Sequence, residues 1–292
     1  MGRRIRDEKC VIREFRIRPA SHRVCRYEFE GEGLSAMAKF LAQPRGKIKK
    51  YDARKAMLKE YYKLKRLKNI IDVPEPIDFS SRFNCVLVTE YIPGKPFSWH
   101  LKNEKNLDEK IEVIASLLSR LHRSTRSYYE KEEDFKEIRS NLKAMPLCSS
   151  TRKIYEQKLE EWQKSPFLDK NRGCTIHRDA TPANYLFYRD KAYAIDFELS
   201  TEHGNAANDL GILCAEIFHH FARKGMASTY VPHIKRFLRS YSRDEKEYHR
   251  IKRVLPLYVS YGLLRVAWRE KKTMHREYLI NRAIELLDRL PI

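Results

Sequence analysis

Three oxygen-bearing side chains stand at a fixed spacing within residues 175–200. A short apolar run leads into His177-Arg178-Asp179, and Asn184 comes five residues after Asp179. A second apolar run ends at Asp196-Phe197-Glu198. Phosphoryl transfer needs a carboxylate that orients the attacking hydroxyl and accepts its proton, and hard oxygen ligands for the Mg²⁺ that bridges the phosphates. Asp179 fits the first role, whereas Asn184 and Asp196 fit the second.

Two strand-like segments connect these side chains. Residues 185–188 are apolar and aromatic, residues 189–191 form a polar turn, and residues 192–195 are apolar again. Two such runs joined by a tight polar turn predict a β-hairpin. We therefore expect one edge of this hairpin to present all three oxygen-bearing side chains to a single cleft.

The length and composition describe a globular protein without a membrane span. The 292 residues allow one large domain or two lobes that share a core. A hydrophobic content of 42% and 17 tyrosines exclude a disordered chain. No run of eighteen apolar residues is present, and the basic N-terminus lacks the apolar segment of a signal peptide. Six scattered cysteines without a C-x-x-C pair predict reduced thiols, so we expect a cytoplasmic protein.

The chain is strongly basic, with a formal net charge of +20, and residues 1–70 hold 21 Lys and Arg against 8 Asp and Glu. One interpretation is a solvated basic face. The other is an electrostatic footprint for an anionic partner, which would be RNA, an acidic membrane surface or a phosphorylated substrate. The first interpretation is favoured, because no RNA-binding motif with interleaved aromatic residues accompanies the charge.

The N-terminal part of the sequence predicts a small antiparallel sheet. Residues 10–18, 24–30 and 34–42 are apolar or alternate in polarity, as half-buried strands do, and turn-forming residues separate them. Lys39 is the one charge inside the third of these runs. Its ammonium could extend outward at a sheet edge, or it could reach the phosphates of a bound nucleotide.

A predicted helix supplies an acidic partner for this lysine. Asp52 is a suitable N-cap, and residues 53–67 have helical periodicity with one apolar stripe. Glu60 lies inside that stripe. Because burying an unpaired charge is costly, Glu60 needs a partner, and Lys39 is the natural candidate. The alternative is a glutamate that tilts to solvent at the edge of the stripe.

An apolar strand at residues 85–89 runs into Glu90-Tyr91-Ile92 and then into a Pro-Gly turn. A strand that ends in such a turn is consistent with a hinge between two lobes. Backbone N–H and C=O groups at a hinge are strong hydrogen-bonding groups and could bond the edge of an adenine ring.

Together these residues resemble the protein-kinase-like superfamily, and within it the aminoglycoside phosphotransferase and choline-kinase-like branch. The H-R-D-x-x-x-x-N spacing and the following D-F match the kinase catalytic loop and metal motif. The resemblance extends over roughly residues 10–290. It implies an α+β, two-lobed protein-kinase-like fold. Residues 1–92 would form a small antiparallel-sheet lobe with one main helix, and residues 93–292 a mostly helical lobe.

The resemblance implies a nucleotide site for ATP in the small lobe. Lys39 and Glu60 would form the clamp on the phosphates, and the backbone of Glu90 and Ile92 would contact adenine. No G-x-G-x-x-G lies between the first two strands, where residues 19–22 read Pro-Ala-Ser-His. Because a turn without glycine cannot bring its backbone as close to the phosphates, their binding would rest more on Lys39 and Mg²⁺.

For the catalytic loop the resemblance implies that Asp179 is the catalytic carboxylate and that Asn184 and Asp196 are Mg²⁺ ligands. It also implies that Asp209 is a structural brace for the loop. Arg178 stands where the aminoglycoside branch usually has glycine. In protein kinases an arginine here has a phosphorylated activation segment to bind, and this sequence has no such segment. We leave open whether Arg178 pairs with Glu198 or with an anionic substrate.

Three spacings favour the small-molecule branch over ordinary protein kinases. His122 and His177 are 55 residues apart, so an insert with helical periodicity at residues 124–171 separates them. Asp196 and Asp209 are only 13 residues apart, which leaves no room for a long activation segment. The sequence Asp196-Phe197-Glu198 is followed by Gly204 and by Asp209-Leu210. This order resembles the D-x-E…G…D-L pattern of small-molecule kinases.

The leading hypothesis is an ATP-dependent kinase that moves the γ-phosphate to a hydroxyl of a small or conjugated acceptor, and the basic charge favours an anionic acceptor. Two alternatives stay open. One is a compact atypical protein serine/threonine kinase of the RIO or KEOPS-associated sort that acts near RNA, which the short connection after Asp196 would fit. The other is a catalytically dead kinase fold used as a scaffold, which the turn without glycine would fit.

Overall fold

A computed structural model describes residues 12–17, 21–29, 33–42, 51–169, 172–226 and 229–289. These residues form an α+β fold, as the sequence predicts, and they divide into two units. The N-terminal unit lies within Met1–Gly94 and Tyr193–Glu198, and the C-terminal unit lies within Lys95–Ala192 and Leu199–Ile292. The predicted lobe boundary between residues 92 and 93 stays a prediction.

A five-stranded antiparallel sheet of order β1-β2-β3-β5-β4 is the framework of the N-terminal unit. Its strands are β1 Ile12–Ile17, β2 Arg23–Phe29, β3 Leu34–Phe40, β4 Pro76–Ser80 and β5 Val86–Glu90. In the middle of the sheet, Lys39 on β3 is the register partner of Val24 on one side and Leu87 on the other. Since side chains alternate between the two faces of a strand, this register fixes the face on which Lys39 lies.

Helix α1, Ala53–Leu67, has the bounds that the sequence predicts. It begins at Asp52, whose carboxylate accepts a hydrogen bond of 2.9 Å from the Lys55 N–H and so satisfies one free donor of the first turn. Met57 and Leu64 are buried on its inner face. Glu60 is buried on the same face, only 3% exposed, so the alternative of a solvent-facing Glu60 is wrong.

Helices dominate the described part of the C-terminal unit. They are α2 Phe97–Asn103, α3 Asp108–Ser124, α4 Lys131–Ala144, α5 Ser149–Gln163, α6 Pro166–Asp169, α7 Ala206–Ala222, α8 Tyr230–Tyr241, α9 Glu245–Arg269 and α10 Thr273–Leu287. The insert predicted between residues 124 and 171 is helical and contains α4, α5 and α6. No described helix combines the length and the apolar character that crossing a bilayer requires.

Short strands position the loops between these helices. They are β6 Lys95–Pro96, β7 Gly173–Ile176, β8 Tyr185–Tyr188, β9 Lys191–Ala194 and β10 Thr201–Asn205. The buried strand β7 pairs antiparallel with β10, and β8 lies between β6 and β9. Strands β8 and β9 form the predicted hairpin, and Arg189 and Asp190 make its tight turn with positive φ angles of 44° and 32°.

The core of the C-terminal unit includes a close approach between α7 and α9. A Cβ atom placed on Gly211 of α7 would lie 2.5 Å from the carbonyl carbon and Cβ of Tyr258 on α9. A Cβ placed on Gly262 of α9 would lie 2.7 Å from the Cβ of Ala215 on α7. The two helices can therefore approach this closely because each has a glycine at the contact.

We predict that replacing Gly211 with Ala destabilises the protein. The added methyl meets the backbone of Tyr258 rather than a flexible side chain, and such overpacking costs about 1–3 kcal/mol. Alanine is a better helix former than glycine by about 1 kcal/mol, so helix propensity alone predicts the opposite sign. Urea unfolding followed by circular dichroism measures the free energy of unfolding, and a variant more stable than the wild type would contradict the close packing.

Candidate active site

The loop that contains His177, Arg178 and Asp179 directly follows strand β7. His177 is fully buried, and Arg178 has a left-handed backbone conformation with φ of +66°. Only glycine takes this conformation without strain, which accounts for the glycine that the resembled branch usually has at this position. The backbone turns sharply at Arg178, and the side chain of Asp179 beyond the turn is only 27% exposed.

Two neighbours fix the orientation of the Asp179 carboxylate. Arg265 of α9 donates from Nη2 to Asp179 Oδ1 over 2.5 Å and from Nη1 to the Arg178 carbonyl over 2.8 Å. Asn184 donates from Nδ2 to Asp179 Oδ2 over 3.0 Å and to the Asp179 carbonyl over 2.8 Å. Burial alone would raise the pKa of Asp179, but Arg265 opposite it holds that pKa below the ordinary value for an aspartate. Asp179 is therefore an ionised carboxylate held at both oxygens.

Asp209, in the first turn of α7, holds the backbone of the same loop through hydrogen bonds. It is fully buried and accepts hydrogen bonds of 2.7 Å from the His177 N–H and 2.8 Å from the Arg178 N–H. His122 Nε2 lies 3.0 Å from Asp209 Oδ2, and His122 Nδ1 lies 3.0 Å from the hydroxyl of Tyr241. Burial would raise the pKa of Asp209, but these hydrogen bonds and the nearby His177 lower it. These contacts are those of a brace, the role that the resemblance implies for Asp209.

Arg178 forms an ion pair with Glu137 of α4. Because α4 belongs to the helical insert, this pair ties the insert to the catalytic loop. The question of whether Arg178 also pairs with Glu198 or with an anionic substrate stays open.

The ammonium of Lys39 in the N-terminal unit contacts three carboxylates. Lys39 Nζ lies 2.8 Å from Glu60, 2.7 Å from Asp196 and 3.2 Å from Glu198. The structure therefore contains the predicted Lys39–Glu60 ion pair. Burial would lower the pKa of Lys39, but the three carboxylates raise it above its ordinary value. Lys39 is a fixed positive charge, which is what binding of phosphate oxygens requires.

Glu198 has two further partners that sequence reasoning missed. His22 Nε2 lies 2.8 Å from Glu198 Oε2, and the Tyr51 hydroxyl donates to Glu198 Oε1 over 3.0 Å. Burial would raise the pKa of Glu198, but the hydrogen bond from His22 and the charge of Lys39 bring it to about 2. His22 ends the segment that replaces the glycine-rich turn, and the Pro19 and Ala20 that precede it lie outside the described residues.

The predicted Mg²⁺ ligands have the right chemistry for this ion. Asp196 is about a third exposed, and its carboxylate lies with those of Glu60 and Glu198 in a group whose oxygens are within 4.8 Å of one another. The Nδ2 group of Asn184 donates a hydrogen bond to Asp179, so the side-chain oxygen of Asn184 is the atom that could bind a cation. Oxygen donors such as these are the ligands that Mg²⁺ prefers.

The expectation that Asp179, Asn184 and Asp196 share one cleft stays a prediction. The structure brings Asp179 and Asn184 into contact in the C-terminal unit, and it describes Asp196 with Lys39 in the N-terminal unit. Asp196 has a left-handed φ of +67°. Strained backbone of this kind is concentrated at functional sites, where the surrounding contacts hold it.

The predicted adenine contacts at Glu90 and Ile92 also stay predictions. The Glu90 N–H already donates to the Glu75 carbonyl over 2.8 Å. Of the two backbone groups of Glu90, the carbonyl is therefore the one with hydrogen-bonding capacity left for a ligand. The side chain of Ile92 is buried, only 4% exposed.

A family model described as "Phosphotransferase enzyme family" (APH) matches residues 21–252. The match spans most of the chain, including Lys39, the catalytic loop and Asp209. The chain belongs to this phosphotransferase family. The resemblance that the H-R-D-x-x-x-x-N and D-F-E sequences indicate is thereby confirmed. None of the curated proteins matches the chain in sequence.

Solved structures with similar folds include kinases of small molecules. Plasmodium vivax ethanolamine kinase has a TM-score of 0.63 at 15% identity, over 95% of this chain and 80% of that one. A choline/ethanolamine kinase family protein from Mesorhizobium loti has a TM-score of 0.63 at 15% identity, over 96% and 90%. ADP-bound aminoglycoside phosphotransferase APH(2'')-Ib has a TM-score of 0.56 at 20% identity, over 97% of this chain and 94% of that one. At these identities the likeness shows the fold, and it confirms the predicted kinase-like fold of this phosphotransferase family member.

We predict that Asp209→Ala destabilises the protein by about 3–5 kcal/mol, because it removes one partner of a buried charged network. Asp209→Asn, which keeps one oxygen acceptor, should cost less. The lowered pKa of Asp209 means that its charge stabilises the folded state above the ordinary aspartate pKa and that this stabilisation is lost as the pH falls through the folded value. The difference in unfolding free energy between wild type and Asp209→Asn should therefore shrink below about pH 4. A difference that stays constant with pH would contradict an ionised Asp209.

Proposed function

We propose that this chain transfers the γ-phosphate of ATP, bound with Mg²⁺, to a hydroxyl of a small or conjugated acceptor. The observation that carries the proposal is the fixed, ionised carboxylate of Asp179, held by Arg265 and Asn184 within the catalytic-loop motif of a phosphotransferase family. A positioned carboxylate is the group that this reaction needs from the protein at the acceptor side.

Asp179 orients the acceptor hydroxyl and accepts its proton. Arg265 and Asn184 each use one lone pair of the carboxylate, and an ionised carboxylate offers about four such sites, so acceptor positions remain for the hydroxyl. The lowered pKa makes Asp179 a weak base. It therefore takes the proton late, when bonding to phosphorus has already made the hydroxyl more acidic.

Lys39 and the acidic side chains around it serve the nucleotide. The Lys39 ammonium would bind phosphate oxygens, and its contact with Glu60 fixes where that charge lies. Asp196 and Asn184 would hold Mg²⁺, which when bound neutralises charge on the phosphates. The hydrogen bonds from His22 and Tyr51 to Glu198 support the position of this cluster without a glycine-rich turn.

The family and the similar folds support a class of acceptor. The similar folds belong to an ethanolamine kinase, a choline/ethanolamine kinase family protein and an aminoglycoside phosphotransferase, so a small molecule with a hydroxyl group is the favoured acceptor. The family match supports this branch over an atypical protein kinase, and no finding favours RNA as a partner. The oriented Asp179 carboxylate and its partner Asn184 argue against a catalytically dead scaffold.

We predict that Asp179→Asn lowers phosphoryl transfer by about 10²–10⁴-fold, because general-base groups contribute rate enhancements of this size. Binding of Mg-ATP should persist, since Asp179 is assigned to the acceptor and not to the nucleotide. The measurement is incubation of the purified protein with labelled ATP and a metabolite pool, followed by kinetics on the acceptor that becomes labelled.

The matched control is Asp190→Asn, the same substitution in the exposed turn of the β8–β9 hairpin. It should retain wild-type activity, and thermal unfolding of both variants checks that the fold is intact. Near-full activity of a folded Asp179→Asn variant would refute the assigned role, and the absence of any labelled product with the wild type would refute the proposed reaction.

A further inference from the structure

A cavity of about 320 Å³ lies within the C-terminal unit, at the end of α3, the start of β7 and the beginnings of α7 and α9. No residue assigned above to the nucleotide or the acceptor lines it. Arginine dominates its wall, and the arginines are Arg123, Arg126, Arg172, Arg243 and Arg250. Glu247 is the one acidic residue among the described residues that line this cavity. The cavity therefore concentrates positive charge in a concave site.

The local carboxylates offset only part of that charge. Glu247 accepts a hydrogen bond of 2.7 Å from Arg123 Nη2 and lies 3.4 Å from Arg250 Nη2. Arg243 Nε donates to Asp244 over 3.2 Å. The side chains of Arg126 and Arg172 form neither an ion pair nor a hydrogen bond with any residue that the structure describes. These two guanidinium groups are consequently available to an anion.

Backbone and side-chain donors add to the arginines. Helix α7 begins at the cavity wall with Asn205, Ala206 and Ala207, and the free N–H groups of a helix N-terminus favour negative charge. Asn205 is 4% exposed, and its Oδ1 accepts from the Ala207 N–H over 3.0 Å. The buried Nε of Arg123 has no hydrogen-bond acceptor within the described ranges. Buried donors without acceptors are rare and call for an explanation.

We propose that this cavity binds a small anion that carries phosphate, either a phosphate monoester or pyrophosphate. Guanidinium groups bind phosphate oxygens through paired N–H donors, and five of them line this wall. The volume lies at the lower end of the range for small-molecule sites, about 300–1,000 Å³. A concave site of this size fits a compact anion better than the extended backbone of a nucleic acid.

The cavity also adjoins the support of the catalytic loop. His122 lines it, and His122 Nε2 contacts the Asp209 carboxylate that holds the loop. Binding at this site can be measured in the absence of phosphoryl transfer, so its test does not require an active enzyme.

The test is isothermal titration calorimetry of the full chain with three separate probes: orthophosphate, pyrophosphate and glycerol 3-phosphate. Pyrophosphate or glycerol 3-phosphate should bind saturably to the wild type. The double variant Arg126→Glu/Arg172→Glu should bind that probe about tenfold or more weakly, because two charge-assisted contacts are lost and two repulsive charges are added. Neither arginine has a partner among the described residues, so the fold should persist, and thermal unfolding verifies it.

The matched control is Lys143→Glu/Lys153→Glu, which makes the same change in net charge at exposed positions on α4 and α5 outside the cavity. It should bind the probe within about twofold of the wild type, since the field of distant exposed charges is screened. Three results would overturn the proposal. They are no saturable binding of any probe, equal weakening in both double variants, and tighter binding of a single-stranded RNA that the cavity variant alone abolishes.

Discussion

The arrangement of the N-terminal unit depends on three carboxylates that surround one partly buried ammonium, that of Lys39. Glu60, Asp196 and Glu198 all lie within 3.2 Å of Lys39 Nζ. Their attraction to Lys39 links β3 to α1 and to the D-F-E segment. Burial and the neighbouring carboxylates nevertheless raise the pKa of Glu60 despite the lysine opposite it. A cluster with this balance favours the arrival of a further cation, which is the property that a metal–nucleotide site needs.

In the catalytic loop of the C-terminal unit the arrangement is reversed, because each carboxylate has an excess of hydrogen-bond donors around it. Asp179 and Asp209 are each surrounded by donors, and the pKa of each is lowered although burial acts to raise it. Asp209 uses its charge to hold the backbone of His177 and Arg178. Asp179 is paired with Arg265, and under the proposed function its remaining lone pairs would accept a hydrogen bond from the acceptor hydroxyl. Under the proposed function, the N-terminal unit would meet the requirement of phosphoryl transfer for a cation, and the C-terminal unit would meet its requirement for an ionised base.

Sequence reasoning succeeds where local spacing determines the structure. The turn at residues 189–191 predicts the β8–β9 hairpin, and Asp52 with the apolar stripe predicts α1 and the buried Glu60. Reasoning from local pattern does not find Arg265, which is 86 residues from Asp179 in the chain and meets it only through the packing of α9. It also does not predict α8, which contains Pro232. That proline lies in the first turn of α8, where a missing N–H is tolerated.

Calorimetric titration of ATP with and without Mg²⁺ tests whether the carboxylate cluster binds a cation; the proteins compared are the wild type, Asp196→Asn and the exposed control Asp78→Asn. The carboxylate excess predicts that Mg²⁺ strengthens ATP binding to the wild type and to Asp78→Asn. Asp196→Asn should lose about tenfold or more of that enhancement, because it removes a charged cation ligand. Equal ATP affinity with and without Mg²⁺ in the wild type, or an undiminished enhancement in Asp196→Asn, would show that the carboxylate cluster is not a site for the metal–nucleotide.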